Sequence, residues 1–262
     1  MSRYTIPVRW LRFAYKLPAA VLTTAFFAAI PAVFRLVAPG RRRAVGRVGA
    51  ESCRLWGKTM CAILAVRRDV LGPVPREGTF LVASNHVSYL DILVLASLYP
   101  SLFLAKREIA SWPVFGWIAR GAGTVFINRD QPKDVVRAGR ELSARLELGL
   151  PVTIFPEGRS SCGVAILPFQ PSLLEPAARA DVPCWAASIS YETEGSALPP
   201  SRTICWHDSE SLAAHFPRLL GLRRVVARVR FAEAPVHSVD RKILASSLWE
   251  KVNASFTPIR QE

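Results

Sequence analysis

Histidine is scarce in this chain, with four in 262 residues. The five cysteines (Cys53, Cys61, Cys162, Cys184, Cys205) form no CxxC and no paired spacing. Their odd number argues against a disulfide framework and for a reducing compartment. No Cys/His cluster has the ligand spacing of a zinc site. The GxSxG elbow of serine hydrolases is missing, which counts against Ser160 and Ser161 as nucleophiles. Cys162 reads as a small apolar filler. There is no internal repeat and no low-complexity tract. Charged residues make up 21% of the chain, too many for a polytopic membrane protein, and half the residues are hydrophobic, which excludes global disorder. The length suits one α/β domain, alone or with a short extension.

Acidic residues are nearly absent from the first seventy positions, which carry only Glu51 and Asp69 against thirteen Lys/Arg. The net charge of +14 therefore belongs mostly to the N-terminal part. Residues 17–34 run without a charge, between Arg3, Arg9, Arg12 and Lys16 on one side and Arg35, Arg41, Arg42, Arg43 and Arg47 on the other. Eighteen apolar residues sit at the short edge of a membrane span. Pro18 and Pro31 within the run leave two readings open: a segment that dips into one leaflet and returns, or a true span. A buried core helix is the bland alternative. Bases interleaved with Leu, Phe and Ala fit an anionic lipid surface, not nucleic acid. Residues 46–64 look helical. Residues 1–64 are thus expected to form a membrane-anchoring helical region and 65–262 the main domain.

From residue 65 short apolar runs alternate with helical stretches. Strands are expected at 79–83, 102–104, 124–127, 152–155, 186–191, 203–206 and 225–231, and helices at 90–98, 113–120, 133–148, 173–180 and 240–256. This alternation predicts an α/β fold, a mostly parallel central sheet flanked by helices.

Three places could carry chemistry. Asn85-His86-Val87-Ser88-Tyr89-Leu90-Asp91 follows a strand and opens a helix, where α/β sheets place ligands. His86 and Asp91 are five apart, a spacing that separates them within a regular helix. They meet if His86 lies in the preceding turn and Asp91 in the first helical turn. A carboxylate on one ring nitrogen would leave the other free to take a proton from a hydroxyl. Alternatively Asp91 completes a capping box begun by Ser88 and His86 is a loop residue. The second place is Phe155-Pro156-Glu157-Gly158-Arg159-Ser160-Ser161, a strand end whose glycine lets backbone N–H groups approach a ligand, or a plain turn with a surface Glu–Arg pair. The third is Gly123-Thr124-Val125-Phe126-Ile127-Asn128-Arg129, where Arg129 could hold a phosphate or sit solvated beside Asp130.

Taken together and in order, these blocks resemble the glycerolipid acyltransferase family, which includes the 1-acyl-sn-glycerol-3-phosphate acyltransferases. Asn85, His86, Ser88 and Asp91 match its NHxSxxD block. Gly123, Phe126, Ile127 and Arg129 match GxxFIxR, Phe155 to Gly158 with Ser161 match FPEG and its small hydroxyl residues, and Val182-Pro183 looks like a fourth block. The resemblance spans roughly residues 75–190. It implies acyl transfer from acyl-CoA or acyl-carrier protein to a lysophospholipid hydroxyl, with His86 as general base and Asp91 orienting it. It implies substrate contacts from Asn85, Ser88, Phe126, Arg129, Glu157, Gly158, Arg159 and Ser161. Arg129, Glu157 and Gly158 would position the glycerol phosphate, and N–H groups near Gly158 would help hold an oxyanion. A thioester is already activated, so no metal or other cofactor is implied. Membrane lipids are the implied partners, and the cytoplasmic face of a bacterial inner membrane the implied location. The sequence departs from the family at Asn128, Arg159, Ser160, Gln170 and Ala186. The changes around the third block point to a second acceptor class, lyso-ornithine lipid or lysophosphatidylcholine. A non-catalytic lipid-binding protein on the same fold is the reading of another class.

Overall fold

The computed structural model describes residues 8–111, 115–121, 123–128, 131–207 and 210–262. Helices α1 (Val8–Val37) and α2 (Arg42–Ile63) lead into β1 (Val66–Leu71), β2 (Leu81–Ser84), α3 (Leu90–Ala96) and β3 (Leu102–Lys106). A 3₁₀ turn (Arg107–Ser111), α4 (Phe115–Gly121), β4 (Val125–Ile127), α5 (Pro132–Glu147), β5 (Val152–Ile154) and α6 (Pro171–Ala180) follow. The chain closes with β6 (Cys184–Glu194), α7 (Pro200–Thr203), α8 (Leu212–Gly221), β7 (Arg224–Phe231) and α9 (Arg241–Ser255).

Among the described residues the strands form one sheet in the order β1-β7-β6-β2-β5-β3-β4. Every pairing is parallel except β6 with β7. Successive side chains of a strand point to opposite faces, and β2 shows the consequence. Val82 joins the core beneath α2, α3 and α8, whereas Leu81 and Ala83 join the core beneath α5, α6 and α9. Helix α5 presents Ala138, Leu142 and Leu146 to that second core, one residue per turn, with Pro132 at its start. Helix α9 is capped by Asp240, whose carboxylate accepts from the N–H groups of Lys242 and Ile243.

The first core also takes in Ala20, Met60 and Leu64, so α1 and α2 pack on the sheet domain and share its interior. Close approach of α2 to α3 depends on Gly57, where a Cβ would lie 2.7 Å from the Leu93 carbonyl oxygen. The two N-terminal helices run antiparallel: Ser52 donates to the Phe27 carbonyl, Trp56 Nε1 to Thr24 Oγ1, and the Lys16 amine to Leu64 O. Residues 17–34 do not turn back on themselves; the helix continues through Pro18 and Pro31, and the chain reverses only after Val37. The small residues Ala20, Thr24 and Ala28, with Lys16, face inward, while Leu11, Tyr15, Leu22, Phe26, Val33 and Val37 form an exposed apolar stripe.

Two expectations differ from the structure. Residues 203–206 are no strand: Pro199 and Pro200 start the short helix α7, and the chain then runs irregularly past Trp206. Strand β1 was not foreseen, because it lies at the sheet edge with Arg67, Arg68 and Asp69 exposed. The expected helix at 113–120 begins outside the described residues and is seen as α4.

Candidate active site

Strands β2 and β5 are parallel neighbours, so the turns after both leave the sheet at the same end. The turn after β2 carries Asn85 and His86. Asn85 is buried, and its amide bridges to β6, donating to Ile189 O at 3.0 Å and accepting from Ile189 N–H at 2.7 Å. It pins the turn.

The backbone around His86 is held from four directions. His86 N–H donates to Glu157 Oε1 at 2.7 Å, and His86 O accepts from Ser161 N–H at 2.9 Å. Val87 O accepts from Trp206 N–H at 2.8 Å. The N–H groups of Val87 and Ser88 donate to Asp91 Oδ2 at 2.7 and 2.9 Å. A turn with its backbone groups satisfied this completely has little freedom to move.

His86 Nδ1 lies 2.8 Å from the same Asp91 Oδ2. Asp91 is fully buried, whereas the His86 side chain is 20% exposed. The capping and dyad readings of Asp91 therefore coincide: one carboxylate oxygen ties the start of α3 and the imidazole together. Ser88 supplies the rest of the cap, its Oγ accepting from Leu90 N–H at 3.3 Å, and is buried there. With Asp91 ionised, Nδ1 carries the ring proton, and Nε2 presents a lone pair that no described residue engages. Phe155, at the end of β5, stacks on the ring with centroids 4.1 Å apart.

Glu157 points inward. Its two oxygens accept from His86 N–H and from Leu167 N–H (3.0 Å), and the residue is 3% exposed. Glu157 thus joins the His86 turn to the segment before α6. Burial outweighs the two backbone hydrogen bonds and raises the carboxyl from 4.5 to about 7, with Asp91 adding to the rise and Arg159 opposing it. Between these two values the folded chain binds more proton than the unfolded one. Stability from this group is fully present below about pH 4.5 and is lost as pH rises through about 7, a change of about 3 kcal/mol. Urea unfolding of the parent should show that decline between pH 5 and 8, and Glu157→Gln should flatten it. An unchanged slope in the variant contradicts the assignment.

Gly158 takes φ +81°, a conformation open to glycine at little cost. Its own N–H closes the turn onto Phe155 O at 3.1 Å, so any oxyanion donor at this turn comes from its neighbours. Arg159 is exposed beside the turn, and Ser161 is half-buried. Ser160 Oγ donates to the Trp206 carbonyl, and Gln170 Nε2 to the Glu157 carbonyl. Phe126 is half-buried on β4, away from β2 at the far edge of the sheet. Arg129 lies outside the described residues; the turn leading to it is tied down by Asp134, which accepts from Asn128 N–H at 2.6 Å.

Sequence reasoning missed Tyr191, whose hydroxyl donates to Asp91 Oδ1 at 2.7 Å. The signal was a lone phenol on the strand face shared with Ala187 and Ile189. An apolar cavity of about 130 Å³ lies between α1, α2, β3 and α4. It is lined among others by Phe27, Trp56, Phe103, Ala119 and Ile92, the residue after Asp91.

A family model described as Acyltransferase matches residues 67–190. A 1-acyl-sn-glycerol-3-phosphate acyltransferase of Neisseria meningitidis is 36% identical over 204 residues, covering 76% of this chain and 78% of the relative. A lyso-ornithine lipid O-acyltransferase of Pseudomonas aeruginosa is 34% identical over 200 residues, covering 76% of each. The crystal structure of PlsC, the 1-acyl-sn-glycerophosphate acyltransferase of Thermotoga maritima, shares the fold: TM-score 0.60 at 22% identity, over 93% of this chain and 97% of that one. The matched region contains both the His86 turn and the Glu157 turn, and the chain is an acyltransferase belonging to the family of the bacterial 1-acyl-sn-glycerol-3-phosphate and lyso-ornithine lipid acyltransferases.

Proposed function

We propose that this enzyme moves a fatty acyl group from acyl-CoA or acyl-carrier protein to the free hydroxyl of 1-acyl-sn-glycerol-3-phosphate, giving phosphatidic acid. The reading is carried by the His86–Asp91 contact, which leaves Nε2 open at the carboxyl end of the sheet. Nε2 takes the hydroxyl proton as that oxygen attacks the thioester carbonyl. The tetrahedral adduct collapses, the C–S bond breaks, and the imidazolium returns the proton to the departing sulfur. General base catalysis of this kind contributes about 10²–10⁴ in rate. No cofactor enters the scheme, since the thioester supplies the activation. Arg159, Ser161 and Arg129 are proposed for the acceptor side, and the cavity beside Ile92 for hydrocarbon.

The exposed stripe of α1 supports work at a membrane surface, with residues 1–64 as the anchoring region, 65–262 carrying the chemistry, and the cytoplasmic leaflet as the site of action. The helix from Trp10 to Val37 is long and apolar enough to cross a bilayer, with a mean hydropathy of 2.0. Burying Leu22 and Phe26 in lipid stabilises attachment by about 1.5–3 kcal/mol each. Leu22→Lys with Phe26→Lys should move the protein from the membrane pellet to the supernatant of a high-salt wash. Retention in the pellet would place the attachment elsewhere.

A second acceptor, lyso-ornithine lipid, is favoured by Arg159, Ser160 and Gln170 and by the name of the Pseudomonas relative. Purified protein assayed with radiolabelled acyl donor against a panel of lysolipids decides between the two. Strong preference for lysophosphatidic acid supports the first reading, and preference for the ornithine lipid replaces it.

A further inference from the structure

Asp91 is surrounded by donors, but unevenly. Oδ2 receives His86 Nδ1 and two backbone N–H groups, whereas Oδ1 receives the Tyr191 hydroxyl. Tyr191 reaches it from β6, a hundred positions along the chain, and both side chains are buried at 2% and 0% exposure. A carboxylate kept ionised away from water needs its oxygens hydrogen-bonded. Resting on the acyl-transfer reading above, we propose that Tyr191 is a positioning residue of the reaction, its hydroxyl holding the second oxygen of Asp91 so that the carboxylate keeps its charge and one orientation toward the imidazole.

The phenol is suited to that task. Burial and the adjacent carboxylate push its ionisation well above the ordinary range, so it remains a donor at every working pH. The same strand face carries Ala187 and Ile189 in the apolar core, and packing alone there calls for no hydroxyl. The titratable and charged groups facing the pair are His86 on its own turn, Glu157 and Arg159 on the turn after β5, Cys61 on α2, and Cys205 beyond α7. Burial pushes Cys61 up to about 11 and Cys205 up to about 12, so both are neutral thiols. Glu157 and Arg159 are unaltered by a change at Tyr191, and a comparison of parent with variant isolates the hydroxyl.

Tyr191→Phe keeps the ring and removes one oxygen. Charge then concentrates on the oxygen facing the imidazole, and the unpartnered oxygen makes the carboxylate easier to protonate. Both changes make the pair hold its proton to higher pH. The acid limb of kcat/KM should move upward by about one pH unit. The kcat should fall by up to about tenfold on the acid limb, with the loss shrinking as pH rises and KM unchanged. NMR titration of the His86 ring in the two proteins should show the same upward displacement without any turnover. This readout separates the two ideas: a displaced titration with no lysolipid acylated by the parent leaves Tyr191 in place and removes the function. A loss equal at every pH, or no change, overturns the proposal. Should the phenylalanine variant fail to fold, site-specific 3-fluorotyrosine at position 191, a stronger donor, should move the limb downward; an unmoved limb there overturns it equally.

Discussion

Replacing His86 with alanine is expected to lower kcat by a factor of about 10²–10⁴ while leaving KM for the acyl donor within a few-fold. The ring is the only part of the residue that is lost. Its backbone N–H and carbonyl remain bonded to Glu157 and Ser161, so the turn keeps its shape, and the partly exposed side chain leaves no sealed void. Circular dichroism and thermal melting should match the parent. The assay is radiolabelled acyl transfer to lysophosphatidic acid, and undiminished turnover would sink the mechanism.

The second large effect concerns Asp91, where two substitutions should separate charge from structure. Asp91→Asn can keep its oxygen toward His86, Val87 and Ser88 and turn its amide toward the Tyr191 hydroxyl, which is able to accept. Geometry survives, but the negative charge that stabilises the imidazolium is gone. A drop of about 10²–10⁴ in kcat is expected, with a melting temperature within a few degrees of the parent. Asp91→Ala instead strands two backbone N–H groups and a phenol in a dry interior. A loss of about 3–5 kcal/mol of folding stability is expected, read by urea unfolding. Equal activity in the asparagine variant would show that the carboxylate serves only as a cap.

How much of this was legible beforehand depended on the physical signal each part leaves. Strands β2 and β5 announce themselves as apolar runs because both their faces are covered. Edge strand β1 has almost no apolar pattern, since Arg67, Arg68 and Asp69 face solvent. His86 and Asp91 could be paired from spacing because the turn and the first helical turn bring them together within five residues. Tyr191 could not be, because its contact spans a hundred positions and depends on the register of β6 beside β2. The turn at Glu157 read from its residues as a place for ligand approach or as a surface Glu–Arg pair; its burial comes from the segment before α6, whose Leu167 N–H reaches the second carboxylate oxygen, a contact that local sequence does not show. Pro18 and Pro31 suggested a break in α1. The helix instead runs through both, held along its inner side by α2 and by the Arg12 and Lys16 side chains.

The Lys16 amine joins three chain segments at one point, reaching Leu64 O at the end of α2 and Leu222 O at the end of α8. Those carbonyls are helix-terminal groups that need a donor. Helix α1 is therefore part of the body of the enzyme and not a detachable appendage. Cleavage by a protease between residues 37 and 42 would not release a working soluble catalyst; withdrawing the first helix would uncover apolar surface and two bare helix ends at once. The first helix and the native state of the sheet domain are expected to be lost together.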